Sequence, residues 1–108
     1  SAPAGRRVAV LGSMLELGDY AEEGHRSAGR AAAKHADALY AYGPDAKAMV
    51  AGAKENGMER AFAFDDQTEL VAALRQDAAK GDALLFKGSR GMQMERALAM
   101  FLGEDVEE

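Results

Sequence analysis

Cysteine and tryptophan are absent from this 108-residue sequence, and proline occurs only twice. Without cysteine there is neither a disulfide framework nor a thiolate metal site, and that lack fits a reducing compartment, so a cytoplasmic location is expected. The two histidines, His25 and His35, belong to no metal-ligand motif, and no metal site is expected. Long apolar runs are missing as well. Nothing approaches the roughly 20 residues of a membrane span, and the N-terminus lacks the charged start and apolar block of a signal peptide, so no membrane partner is expected. Positive charge is in deficit: 13 Lys and Arg stand against 18 Asp and Glu, for a net charge of -5. That balance argues against a nucleic-acid partner, whose affinity would rest on cations facing phosphates.

What the chain does have is apolar content, 48% of its residues, in a length that suits one domain with a real core. Four short runs, VAVL (8–11), ALYAY (38–42), AFAF (61–64) and ALLF (83–86), are almost continuously apolar, as strands covered on both faces are. Each precedes a helical pattern. The first helix is expected to start near Glu22, with Gly24, Ala28, Gly29 and Ala32 forming a small-residue face able to approach a sheet closely. Ala46, Met49, Val50 and Ala53 make the apolar stripe of a second helix, with Pro44 in its first turn and Asn56-Gly57 at its end. Asp66 and Glu69 read as the capping box of a third, which runs to Lys80 and Gly81. Met94, Ala97, Leu98 and Phe101 make the stripe of a fourth, stopped by Gly103. The fold class expected is therefore α/β: an open, mainly parallel sheet of about four strands with helices on both faces, a Rossmann-like three-layer sandwich.

In such sheets ligands bind beyond the carboxyl ends of the strands, which directs attention to the loops that follow them. The first has Gly12 and Gly18 but no G-x-G-x-x-G spacing, and no acid closes the second strand, so a dinucleotide site is not expected. No P-loop motif is present either, so a nucleoside triphosphate would have to be held elsewhere. The last loop differs in chemistry. Lys87, Gly88, Ser89 and Arg90 combine a mobile charge, tight backbone, a cap-forming hydroxyl and a planar guanidinium, a set suited to a small carboxylate or phosphate at a helix N-terminus. By residue type alone, Ser89 equally fits a plain helix cap and Arg90 a solvated surface residue.

Two separated stretches, VLGSMLELGDYAEEGHRSAG and KGSRGMQMER, together resemble the C-terminal domain of the Mur ligase family. That family's pattern is V-L-G-D-M-x-E-L-G, a His in the next helix, and later K-G-S-R followed by M-E. Matching positions here are Val10, Leu11, Gly12, Met14, Glu16, Leu17, Gly18, His25, Lys87, Gly88, Ser89, Arg90, Met94 and Glu95. Where the family usually has Asp, this chain has Ser13, so no role of that acid carries over. Residues 1–5, small and including Pro3, read as a linker and 104–108 as an acidic solvated tail, while the resemblance implies the Mur ligase C-terminal domain at 6–103 without the strand, helix and Y-N-A-N-P motif that open it in the family. K-G-S-R is the turn of family members that add D-alanyl-D-alanine to UDP-N-acetylmuramoyl-tripeptide through an acyl phosphate, an ATP- and Mg2+-dependent step of peptidoglycan precursor synthesis.

On that resemblance the chain is expected to be a substrate-presenting domain, inactive alone. Its partners would be D-alanyl-D-alanine, a central ATPase domain of the same polypeptide that holds ATP and Mg2+, and the UDP-linked tripeptide reached through the remaining domains. Lys87, Gly88, Ser89, Arg90, Gly43 and Pro44 are the expected dipeptide site, and Gly12, Ser13, Met14, Glu16 and Gly18 a phosphate-side or interdomain loop. The competing reading from residue chemistry alone is a free-standing α/β module that binds a small anionic ligand through the KGSR turn.

Overall fold

The computed structural model describes residues 5–104, so most of the expected linker and acidic tail lie outside the described residues. Four strands alternate with four helices: β1 (Arg7–Gly12), α1 (Ala21–His35), β2 (Ala38–Tyr42), α2 (Ala46–Glu55), β3 (Ala61–Phe64), α3 (Gln67–Asp77), β4 (Ala83–Lys87) and α4 (Met94–Leu102). The strands form one parallel sheet in the order β3-β2-β1-β4. From β1 the chain steps outward to β2 and β3, and then crosses back to place β4 on the far side of β1. Right-handed crossovers in opposite directions must lie on opposite faces of the sheet. Accordingly, α1 and α2 share one core with Ala9, Leu39, Ala41 and Met49, while α3 and α4 share the other with Val8, Val10, Tyr40, Leu70 and Leu74. Burying each of the larger aliphatic side chains contributes about 1.5–3 kcal/mol, so these two layers supply most of the drive to fold.

The small-residue face of α1 is shared between two neighbours: Ala28 and Ala32 pack toward the sheet with Ala9 and Leu39, as expected, while Gly29 meets α2. A Cβ at Gly29 would stand 1.8 Å from the carbonyl oxygen of Met49, and one at Gly52 would stand 2.0 Å from that of Arg26. The two helix backbones therefore touch reciprocally, each through a missing side chain. Around this contact Arg26 bonds Glu22 and Glu55, and Arg30 bonds Glu55 and Glu23. These pairs are partly exposed and add little stability individually.

Four expectations are corrected. Coverage on both faces fails at β4, where Leu85 is 61% exposed, because α1 and α2 span β1 to β3 and no described helix lies over β4 on that side. The result is an apolar groove of about 720 Å³, floored by β1 and β4 and walled by α1, with Leu11, Ala28, Ala32 and Leu85 among its lining. The third helix stops at Asp77, short of Lys80. Ala78 is extended, the Asp77 carbonyl accepts from Arg6, and the Asp82 carboxylate accepts from the Ala79 N–H and from Arg6. A cap contributed by residues far along the chain thus ends the helix early. At its start Asp66 Oδ1 accepts from the Thr68 N–H at 2.7 Å, with no reciprocal bond from Glu69, so the box is one-sided. Pro44 stands before the N-cap residue Asp45 of α2 rather than in its first turn, whereas Gly57 and Gly103 take left-handed conformations just past α2 and α4, where stops were expected.

Candidate functional site

The topology puts the switch point between β1 and β4, so the loops after these two strands flank the crevice in which open α/β sheets bind ligands. These are the loops singled out by sequence. Their backbones run close together: a Cβ at Gly88 would stand 3.0 Å from the Gly12 Cα, and one at Gly12 would meet the Met94 side chain at 2.8 Å. Met94 itself is core, as a methionine at helical spacing usually is.

Three successive amides of the first loop each point to a different element. The Ser13 N–H donates to the Tyr42 carbonyl at 2.8 Å, the Met14 N–H to His25 Nε2 at 2.8 Å, and the Leu15 N–H to Ser89 Oγ at 2.9 Å. His25 is wholly buried in α1. Because Nε2 accepts, Nδ1 carries the proton and donates it to the Ala21 carbonyl at 2.6 Å, so this ring is a loop anchor rather than a catalyst. The amides of residues 13–15 are thus all engaged inside the protein.

Ser89 does not cap a helix. Strand β4 runs through Lys87, a 3-10 turn at Arg90–Met92 follows, and α4 begins only at Met94. The Ser89 hydroxyl is turned instead toward the first loop, where it accepts from Leu15 and keeps its own proton free to donate. The α-helical N-terminus expected directly after the KGSR turn is therefore replaced by a 3-10 turn, which carries the side-chain charges of Lys87 and Arg90 beside it. Lys87 and Arg90 are exposed and enter no ion pair among the described residues. Gln67 braces this turn from α3, its Nε2 donating to the carbonyls of Met92 at 2.9 Å and Gln93 at 3.0 Å.

The loop after β2 lies alongside. The Gly43 N–H bonds the Phe64 carbonyl at 3.0 Å, Gly43 has φ +116°, and Pro44 is exposed. Asp45 caps no backbone amide with its side chain and places Oδ2 3.8 Å from His25 Nε2. Glu16 and Gln93 are the positive-φ non-glycine residues of the described chain, and they fall in the first and last of these loops. A left-handed conformation costs an L-residue about 1–2 kcal/mol, and such strain gathers where surrounding structure holds a site in place.

Sequence reasoning missed Ser13 as a junction, Gln67 as a brace and Arg6 as a clasp. Arg6 and Asp82 pair at 2.9 Å across the start of the sheet, and that bond holds the Asp82 carboxyl below its usual 3.8. Tyr40, buried and donating to Asp77 Oδ2, has its phenol pushed up to about 12, chiefly by desolvation. Both lie away from the strand-end loops and serve the fold. Among the described residues no three His, Asp or Glu side chains gather as a metal-ligand set.

Comparison with known proteins bears on this geometry. The family model for "Mur ligase, glutamate ligase domain" matches residues 1–90. The UDP-N-acetylmuramoyl-tripeptide--D-alanyl-D-alanine ligase of Bacillus subtilis is 37% identical over 93 residues, covering 84% of this chain and 20% of that protein. The enzyme of the same name from Synechocystis is 41% identical over 106 residues, covering 95% of this chain and 23% of that one. A crystal structure of MurF from Acinetobacter baumannii superposes with a TM-score of 0.79 at 31% identity, over 94% of this chain and 23% of that chain. MurF ligase from Thermotoga maritima, in complex with ADP, gives 0.74 at 31% identity, over 93% and 22%. The chain thus spans about a fifth of the length of the curated relatives it matches. Parallel sheet, paired strand-end loops and matched motifs agree, and the chain belongs to the Mur ligase family as its C-terminal domain.

Proposed function

We propose that this domain presents the incoming dipeptide in a ligase that joins D-alanyl-D-alanine to UDP-N-acetylmuramoyl-tripeptide. The observation that carries the reading is the pair Lys87 and Arg90, exposed, free of ion pairs among the described residues, and flanking Ser89 at the switch point of the sheet. Arg90 offers a planar fork and Lys87 a point charge to the dipeptide carboxylate, Ser89 offers its hydroxyl proton, and Gly43 and Pro44 wall the neighbouring side. Glu16 and Gly18, beyond the engaged amides, face the rest of the enzyme.

ATP and Mg2+ belong to other parts of the complete ligase, where they supply the acyl phosphate. The work of this domain is to bring the free amine of the bound dipeptide to that acyl carbon and to exclude water that would hydrolyse it. A new C–N bond forms, the amine loses a proton, and inorganic phosphate leaves. Relatives about four times as long as this chain, named for the same joining reaction, support the assignment. The bare face of β4 supports a domain completed by additional chain. A strand arriving at the free edge of β4 and a right-handed crossover into β1 would set a helix over Leu85, on the side of α1.

Replacing Arg90 by Ala in the complete ligase is expected to raise the KM for D-alanyl-D-alanine about tenfold or more with a smaller change in kcat, since a charged hydrogen bond is worth about 1.5–3 kcal/mol. An unchanged dipeptide KM would overturn the carboxylate role.

A further inference from the structure

We infer that Ser13 is the positioning residue of the strand-end site, a buried junction that makes the loops after β1, β2 and β4 move as one piece. Its side chain is wholly buried, so position 13 touches no ligand. The hydroxyl donates to the Tyr42 carbonyl at 3.2 Å and accepts from the Asp45 N–H at 3.0 Å, clasping both ends of the Gly43-Pro44 turn. Its own N–H holds Tyr42, and its carbonyl faces the Ser89 N–H at 3.5 Å. Gly43 is fitted to it: a Cβ there would stand 2.4 Å from Ser13 Oγ.

A group that both donates and accepts is what this position needs. An aspartate, the residue the Mur family resemblance leads one to expect here, could accept from Asp45 but would turn lone pairs toward the Tyr42 carbonyl and add a charge near the Asp45 carboxylate. In this chain a neutral hydroxyl stands at that position, and the carboxylate at the junction is that of Asp45, 3.8 Å from His25 Nε2. The geometry of Gly43 and Pro44 relative to Ser89 and Arg90 therefore depends on a residue outside the binding surface.

The kinetic part of this inference rests on the dipeptide-site reading; the structural part does not. Two measurements on the Ser13→Ala complete ligase separate them. Amide hydrogen exchange followed by mass spectrometry over residues 43–48 is expected to quicken about fivefold to tenfold, the loss of roughly one hydrogen bond. The dipeptide KM is expected to rise by a similar factor, with the KM for ATP and kcat within about twofold. Unchanged exchange overturns the junction. A dipeptide KM unmoved by Ser13→Ala but raised by Arg90→Ala overturns the positioning role while leaving the dipeptide site standing. Equal rises in both KM values would mean general loosening and would also overturn it. If neither variant moves the dipeptide KM, the dipeptide-site reading fails first and the inference with it.

Discussion

Replacing Gly29 by Ala sets two effects of known sign against each other. Within a helix the substitution by itself gains about 0.5–1 kcal/mol, because alanine loses less backbone entropy on folding. Against that, the added Cβ would stand 1.8 Å from the Met49 carbonyl oxygen, 2.8 Å from its carbon and 2.9 Å from the Ala53 nitrogen, all backbone atoms of α2. An ordinary contact needs about 3.4 Å, so the helices must part by more than about 1 Å, and no side-chain rotation can relieve the overlap. Parting them also opens the packing of Met49 and Ala53 and strains the α1–α2 ion pairs. Overpacking of this kind costs about 1–3 kcal/mol, so the net expectation is a loss of about 1–2 kcal/mol. In urea unfolding of this chain, with a slope of about 1–1.5 kcal/mol per molar, the midpoint should fall by about 1 M. Gly24→Ala is the internal control, because its Cβ would meet only the tip of the Leu17 side chain, at 2.9 Å. It should be neutral or slightly stabilising. A Gly29→Ala midpoint equal to that of Gly24→Ala would refute the close backbone crossing.

Two further outcomes are expected. The Arg6–Asp82 bond lowers the Asp82 pKa in the folded state, so its stabilisation is complete above the ordinary value of 3.8 and is lost as pH falls through the lower folded value. The stability difference between the wild type and Asp82→Asn should therefore shrink below that pH, and a difference constant from neutral pH into strong acid would contradict the pairing. Leu85→Cys introduces the sole thiol of this chain, and it should react readily with a maleimide here but, on the proposal that additional chain covers β4, at least about tenfold more slowly in the complete ligase. Equal rates would show that the groove stays open.

The alternation of strands and helices was legible because each run carries local signals. ALYAY and AFAF are apolar throughout, Asp66 sits where an N-cap belongs, and Gly57 and Gly103 mark stops by conformations that favour glycine. What was not legible depended on residues distant in sequence. Arg6 ends α3 from 71 residues away, and Leu15 turns the Ser89 hydroxyl from a cap into a loop tie from 74 residues away. Neither leaves a periodicity to read. The same holds for Gly29 in the small-residue face of α1: the spacing announces close approach, but only the fold reveals that its neighbour is α2. At the candidate site the chemistry of KGSR could be read directly, as could the motifs shared with the Mur ligases. Ser13 could not, because a serine in a glycine-bounded loop carries no mark of being buried between three loops.

The central claim, that the strand-end loops of this domain form a site for D-alanyl-D-alanine, is tested most directly by following the amide resonances of the chain during titration with that dipeptide to millimolar concentration, beside the L,L isomer. Saturable shifts are expected, centred on Gly43, Asp45 and 87–91, weaker or absent with the L,L dipeptide and lost in Arg90→Ala. Shifts elsewhere on the domain, shifts equal for both isomers, or none at all would contradict it.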